Sequence, residues 1–460
     1  MNNRIIFSSS LLGGYFLYNY FTDKSYTYDE ISKHNNKEKG IWVTNNKNVY
    51  DITKFVDSHP GGIDKIMLSA GKGLEPYWKT YPQHNNKFVK EILDKYKIGI
   101  IKNYDPTKYD NYIDPYINEP IRSSELIYHT KYPCNAETPL NLLINDKMIT
   151  PNDLFFIRNH NPIPKINIIN YKLNIINEKI NNKYSLDELK KYKKKTIYSV
   201  IVCAGNRRNE YNKYKDTMGI PWGPGAIGNA KWEGILLYDI IKPYLNKDIK
   251  YIHFEGYDGV KISIEADKVI NDDVILAYKM NDEILPIDHG YPLRVIVPGY
   301  IGIKNIKWIK NIILSDKEAS GPWQKGINYK IIKHYDNSTD LSKYPTITNI
   351  NTQSCITNIQ KCNDKIKLEG YTISNEKITS VEISVDYGQS WIKANILTKD
   401  KTYILWDLDI NNDIKSIKDF WCRTITYNEK SNSGSIEKAW NIRGICNNSI
   451  YKKILFDNKL

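Results

Sequence analysis

The chain has 460 residues, of which 41% are hydrophobic and 12% aromatic, and a formal net charge of +13. That is enough apolar material for roughly two to four packed domains, and it excludes a chain disordered along its length. Lysine supplies most of the charge and is spread along the chain apart from a cluster at 190–195. A nucleic-acid interface would gather basic and aromatic side chains on one face, so no nucleic-acid partner is expected.

Only eight of the 65 basic residues are arginines: Arg4, Arg122, Arg158, Arg207, Arg208, Arg294, Arg423 and Arg443. Where a solvated positive charge suffices, this chain uses lysine. Arginine is expected where a planar, bidentate fork is needed, so each one is a candidate anion site. The six cysteines (Cys134, Cys203, Cys355, Cys362, Cys422 and Cys446) form no CxxC pair, which argues against a zinc ribbon or a disulfide framework.

In chain order, residues 1–26 carry no charge between Arg4 and Asp23 and read as a targeting segment or a membrane anchor. Residues 27–104 read as one compact unit, with strand-like "GIWVTNNKNVYD", short helices and then "YKIGII". Residues 105–120 hold three prolines and little periodicity and read as a flexible linker. From 121 to 325, short β-branched runs alternate with short helices. The strands expected there include "TIYSVIVC", "YIHFEG", "VILAYKM" and "LRVIVPG". From 326 to 460 the pattern is β-only, with "KIKLEGYTIS", "TYILWDLDI" and "DFWCRTITYN", as in an immunoglobulin-like sandwich. The fold class expected is α+β multidomain.

The motif "HPGG" places His59 on a rigid turn, and His84 follows 25 residues later. Two neutral imidazoles on opposite sides can ligate a haem iron. In "VCAGNRR", Cys203 ends a buried β-run. Its thiolate is a soft ligand suited to a soft or high-valent metal. Gly205 permits a sharp turn, and Arg207 and Arg208 offer anion-binding forks beside the thiol. "GPGAIG" at 223–228 matches G-x-G-x-x-G but follows Trp222 rather than a β-run and contains Pro224. A dinucleotide site is not expected there.

On these motifs, residues 27–104 resemble a cytochrome b5 domain, and 27–460 as a whole resembles the sulfite oxidase family. The resemblance implies a molybdenum-molybdopterin centre ligated by Cys203 and a b-type haem held by His59 and His84. "FFIRNHNPIP" then contributes Phe156, Ile157, Arg158, Asn159 and His160 to the pterin site. "FEGYD" contributes Asp258, "DHGYPLR" contributes His289 and Arg294, and "GIKNIKW" contributes Asn305, Ile306 and Lys307. The anion site would comprise Arg158, Arg208, Trp222, Tyr278 and Arg443. The implied activity is oxidation of sulfite to sulfate. Electrons would pass singly through the haem to cytochrome c in the mitochondrial intermembrane space, in a homodimer formed by 326–460. The alternatives are a nitrate-reductase-like molybdenum enzyme and a haem electron carrier with an inactive molybdopterin domain. Against nitrate stand the N-terminal haem domain, the lack of a C-terminal flavin module, and the residue types at 278 and 443. Against the inactive carrier stands the presence of Cys203 and the arginines.

Overall fold

The computed structural model describes residues 23–59, 63–81, 84–108, 115–117, 119–143, 148–336, 338–362, 365–398, 402–411, 419–428 and 434–454. Most of the 1–26 segment and the Pro60–Gly62 part of the HPGG turn therefore lie outside the described residues, as does the middle of the 105–120 linker. No described helix is long and apolar enough to cross a membrane. The described residues divide into two compact units, one comprising those up to 112 apart from 79–81, the other comprising the rest.

The first unit is built on one sheet in which Ser25–Tyr26, Lys97–Ile101, Asn48–Asp51, Gly40–Asn45 and Asn35–Asn36 lie side by side. The run "GIWVTNNKNVYD" forms two antiparallel strands because Asn46, at φ +50°, accepts the left-handed backbone of the turn. Helix Tyr28–Lys33 starts at a capping box, in which Thr27 and Glu30 satisfy each other's backbone N–H groups. The core gathers Ile41, Val43, Tyr50, Val56, Leu74 and Trp78. His59 ends the 3-10 turn Val56–Ser58, and His84 lies just before helix Lys87–Asp94, whose first turn is capped by Asn86.

The second unit holds two five-stranded sheets. One orders Asn181–Tyr184, Leu173–Ile176, Ile309–Ser315, Tyr251–Gly256 and Lys261–Glu265. The other runs Lys194–Val202, Ile227–Leu236, Ile275–Met280 and Glu283–Ile284, with Arg294–Ile296 also paired to Ile275–Met280. The run "LRVIVPG" yields only that three-residue strand, because the chain turns at Gly299, φ +80°. A three-stranded sheet of Ile127–Thr130, Asn135–Glu137 and Ile157–Arg158 stands beside them. The last part of the chain forms two four-stranded sheets around Tyr371, Trp406, Phe420 and Cys422, a sandwich whose first strand is Gln353–Cys362. Residues 326–352 precede it as irregular chain with short 3-10 turns rather than strands.

The glycines of "GPGAIG" serve close packing. A Cβ on Gly225 would stand 2.1 Å from the Thr138 carbonyl oxygen, and one on Gly228 would stand 2.5 Å from the Phe155 ring.

Candidate active site

Strand Lys194–Val202 delivers Cys203 to a pocket that it lines together with Arg158, His160, Arg294, Lys307 and Tyr329. The turn after it is pinned on both sides. The Cys203 amide donates to the Ala226 carbonyl at 2.9 Å, and its own carbonyl accepts from the Asn206 amide at 2.9 Å. Buried Asn206 accepts from the Ala226 amide at 3.0 Å and donates to Gln353 at 2.9 Å and to the Tyr371 hydroxyl at 3.1 Å. The sandwich thus clamps the cysteine turn.

Of the residues expected at the cofactor, Phe156, Arg158, His160, Cys203, Asp258, His289, Arg294, Asn305, Ile306 and Lys307 all line this pocket. Two do not. Ile157 is buried in strand Ile157–Arg158, and Asn159 is fully buried behind it. Asn159 donates to Asp288 at 3.2 Å and accepts from the Lys307 ammonium, so it holds the pocket's lysine rather than reaching the cavity.

The anion residues divide as well. Of the three arginines only Arg158 lines the pocket; Arg208 and Arg443 stand outside its lining but fall with Arg158 and Cys203 in one electrostatic neighbourhood with Tyr329, a residue the sequence reading did not select. Tyr329 lines the pocket, and its hydroxyl lies 3.4 Å from the His160 ring. Burial raises its pKa to about 12, the nearby Arg158 pulling down and Cys203 pushing up. Tyr278 is not in this pocket. It packs against the core of the first five-stranded sheet with the Lys190 ammonium 5.7 Å from its ring centre. In strand Ile275–Met280, Ile275 and Ala277 pack in the cluster that Cys203 joins, whereas Leu276 and Tyr278 pack in the other. Tyr329 is the tyrosine that meets the arginines. Trp222 does not line the cavity either. It is 1% exposed and packs in the cluster against which Cys203 rests, edge-on to His129 at 4.9 Å.

The seven described arginines sort into two kinds. Arg122 is held by Asp288 and Glu119, Arg207 by Glu210, and Arg423 by Glu382. Arg158, Arg208, Arg294 and Arg443 have no carboxylate partner among the described residues. Arg208 donates only to backbone carbonyls, those of Arg443 and Gly444 at 3.0 Å each and that of Ile220 at 2.7 Å. Arg294 donates to the carbonyls of His289 at 2.9 Å and Asn305 at 3.0 Å. The Nε atoms of Arg294 and Arg443 are buried with no hydrogen-bond partner. The adjacent pair that drew attention in the sequence is therefore split. Arg207 is a fully buried structural cation and does not serve the thiol.

Burial lowers the pKa of Arg208 to about 10 and that of Arg294 to about 9. It lowers Lys307 to about 7, with Asp288 pulling it back up and Arg294 pressing it further down. It also lowers His289 to about 4, so this imidazole is neutral. Buried cations without counter-charges carry a desolvation cost that a bound anion relieves. The donor set fits a phosphorylated, many-edged cofactor that bears a soft metal at Cys203, with a small oxyanion alongside.

In the first unit, the His59 and His84 rings are 6.1 Å apart between centroids and 7° from parallel. A metal–imidazole bond of about 2.0 Å on each side, plus the half-width of each ring, gives a separation of about 6 Å. The centroid separation matches that of two imidazoles on one haem iron. Trp78 stacks on His84 at 5.9 Å, and Phe55 meets His59 edge-on at 5.9 Å.

Three family models match the chain: a cytochrome b5-like haem/steroid binding domain over residues 27–102, an oxidoreductase molybdopterin binding domain over 160–323, and a Mo-co oxidoreductase dimerisation domain over 337–457. The mitochondrial sulfite oxidase of Drosophila melanogaster is 36% identical over 461 residues, covering 93% of this chain and 80% of its own. That of Homo sapiens is 33% identical over 458 residues, covering 93% and 83%. Among solved structures, the sulfane dehydrogenase SoxCD of Paracoccus pantotrophus superposes with a TM-score of 0.62 at 22% identity, over 76% of this chain and 96% of that one, a likeness of fold.

Proposed function

Since this chain belongs to the sulfite oxidase family, we propose that it oxidises sulfite to sulfate at a molybdenum-molybdopterin centre and passes the electrons singly to a b-type haem. The observation that carries this reading is the carboxylate-free cluster of Arg158, Arg208 and Arg443 beside Cys203 and Tyr329.

Sulfite and water become sulfate, two protons and two electrons; the bound molybdenum supplies the site at which the sulfur is oxidised and the electron pair accepted. The chain's residues do the rest. Cys203 holds the metal. Arg294, Lys307, His289 and the Asn305 backbone face the pterin cofactor. The three guanidiniums of Arg158, Arg208 and Arg443 neutralise and orient sulfite, and the Tyr329 hydroxyl hydrogen-bonds to one of its oxygens. Trp222 backs the cysteine from behind. His59 and His84 hold the haem iron. The chain dimerises through its sandwich.

The mitochondrion, and within it the intermembrane space, is the proposed location, with cytochrome c as acceptor. Residues 27–104 carry 13 lysines against 9 acidic residues. Of the acids near the haem histidines in sequence, Asp57 is paired with Lys37 at 2.7 Å, and Glu75 accepts from the Asn46 amide at 2.6 Å, with burial raising its pKa. The Asp64 side chain lies outside the described residues. Docking to a basic partner would then be slowed by like-charge repulsion, and its rate would rise with ionic strength as that repulsion is screened.

The deciding experiment is an anaerobic optical spectrum of the purified protein on addition of sulfite. Reduction of the b-type haem is expected. A haem spectrum indifferent to sulfite, in protein shown to contain molybdenum, would overturn the assignment.

A further inference from the structure

We propose that Asn135 is a positioning residue for the anion site: it aims Arg158 at the substrate while leaving the arginine's charge unspent. This rests on the reading of the site given above.

Strand Asn135–Glu137 pairs antiparallel with Ile157–Arg158, and the register sets Asn135 opposite Arg158. Asn135 is 1% exposed. The Nη1 of Arg158 donates to Asn135 Oδ1 at 2.9 Å and to the Asn159 carbonyl at 2.9 Å. Among the described residues, these are the only protein acceptors of its guanidinium. The other end of the Asn135 amide is also fixed. Its Nδ2 donates to Thr130 Oγ1 at 2.8 Å and to the Pro133 carbonyl at 2.9 Å, and the Thr130 hydroxyl itself donates to Pro133 at 2.7 Å. Two acceptors on the nitrogen side assign the amide's orientation. Its oxygen is left facing the guanidinium.

The comparison among arginines gives this contact its meaning. Arg122, Arg207 and Arg423 are each held by carboxylates, which orient the fork and cancel its charge. Arg158 is held by a neutral amide of the same shape as an aspartate. A carboxylate at 135 would offer Arg158 an oxygen in the same place but would neutralise it, removing roughly one third of the positive charge of Arg158, Arg208 and Arg443. Asn135 is therefore a determinant of anion affinity that touches neither substrate nor cofactor.

The test compares the full-length holoenzyme with its N135D and N135A variants. Two quantities are read: the KM and kcat for sulfite-dependent haem reduction, and sulfate binding to the oxidised enzyme by calorimetry. For N135D the expectation is a rise in KM and a loss of sulfate affinity of about tenfold or more, with kcat much less affected; melting temperature falls as well, because the second carboxylate oxygen meets the Pro133 carbonyl where the amide donated. For N135A, KM rises less and stability falls. Adding R158M to N135D should abolish the effect of the aspartate. This cycle is read from sulfate binding, so it still reports on Asn135 if sulfite is not the substrate. Wild-type KM and sulfate affinity in folded N135D would overturn the proposal, as would an equal effect of N135D with and without R158M. If N135D does not fold, T130V, which removes one of the two acceptors that hold the amide, should raise KM and weaken sulfate binding; wild-type values there would likewise overturn it.

Discussion

Arg207 and Arg208 are chain neighbours whose guanidiniums are committed in opposite ways. Arg207 makes a bidentate pair with Glu210, at 2.8 and 2.6 Å, and lies over the Tyr451 ring. Among the described residues Arg208 donates only to carbonyl oxygens, and it lies in the electrostatic neighbourhood of Cys203. The divergence has a backbone cause. Arg207 sits at φ +66°, a left-handed conformation at the start of helix Arg208–Tyr214, and this rotates consecutive side chains to different sides. One is spent on joining the helix to the sandwich, where it also donates to the Ser449 carbonyl at 3.1 Å. The other is left for an anion.

The two should fail differently when replaced. R208M is expected to raise the KM for sulfite by roughly ten- to a hundredfold, the cost of one charge-assisted contact, and also to lower the melting temperature, because the carbonyls of Arg443, Gly444 and Ile220 lose their donor. R207M leaves Glu210 without its partner and should lower stability by about 3 kcal/mol, seen as a fall in melting temperature, with KM in the surviving enzyme near wild type. The KM measured on the folded fraction of each preparation separates the two. Equal effects on KM would mean that both arginines serve the anion.

Arginine was legible in the sequence because it is rare here; tyrosine was not. With 36 tyrosines in the chain, residue type carries little information, and Tyr278 sits in a clear strand whereas Tyr329 sits in an irregular stretch that no periodicity marks. Its place beside Cys203 depends on the path of residues 326–352, which tertiary packing sets: the Tyr329 carbonyl accepts from the Ile347 amide at 2.9 Å. Strand Lys194–Val202 and the sandwich strands were readable from alternation and β-branched runs. Asn159 and Asn135 were not distinguishable as supporting residues, since a sequence does not show which side of a strand faces the cavity. The role of Arg207 turned on a single left-handed residue, which a non-glycine sequence gives no reason to expect.

The haem ligands are testable apart from the molybdenum site, because His59 and His84 belong to the first unit and Cys203 to the second. H84A should abolish the six-coordinate b-type spectrum and, with it, sulfite-dependent reduction of cytochrome c. Molybdenum content and sulfate binding should stay at wild-type levels, and sulfite oxidation by a small diffusible oxidant should persist. A normal b-type spectrum in H84A would remove this histidine from the iron.

Gly205 supports Arg208 by what it lacks. A Cβ there would stand 2.6 Å from Nη2 and 2.7 Å from Cζ of Arg208. The guanidinium cannot simply swing aside, since its Nε and Nη1 already hold three carbonyls. G205A is therefore expected to displace Arg208, lowering kcat/KM for sulfite by about tenfold and stability by about 1–3 kcal/mol. Wild-type kcat/KM in G205A would mean that the exact seat of Arg208 is not critical for the anion.

Lys304 connects the pocket wall to pH. It ends the 3-10 turn Gly302–Lys304, whose Gly302 and Ile303 line the cavity, and its fully buried ammonium donates to the Ser263 carbonyl at 2.9 Å and to Gln324 at 2.7 Å. Burial lowers its pKa to about 8, with Glu265 and Glu318 pulling the other way. An unfolded lysine titrates near 10.4. Between about pH 8 and 10.4 the unfolded chain therefore holds a proton that the folded chain has released, and for this group stability rises with pH; below about 8 both states hold the proton and the contribution is flat. The K304M variant removes the group. The stability of wild type relative to K304M should thus increase by about 1.4 kcal/mol per pH unit across that window, and urea unfolding of both proteins at pH 7.5 and 9.5 measures it. A relative stability that is constant or falls with pH would mean that Lys304 keeps its proton in the fold, its two acceptors outweighing the burial.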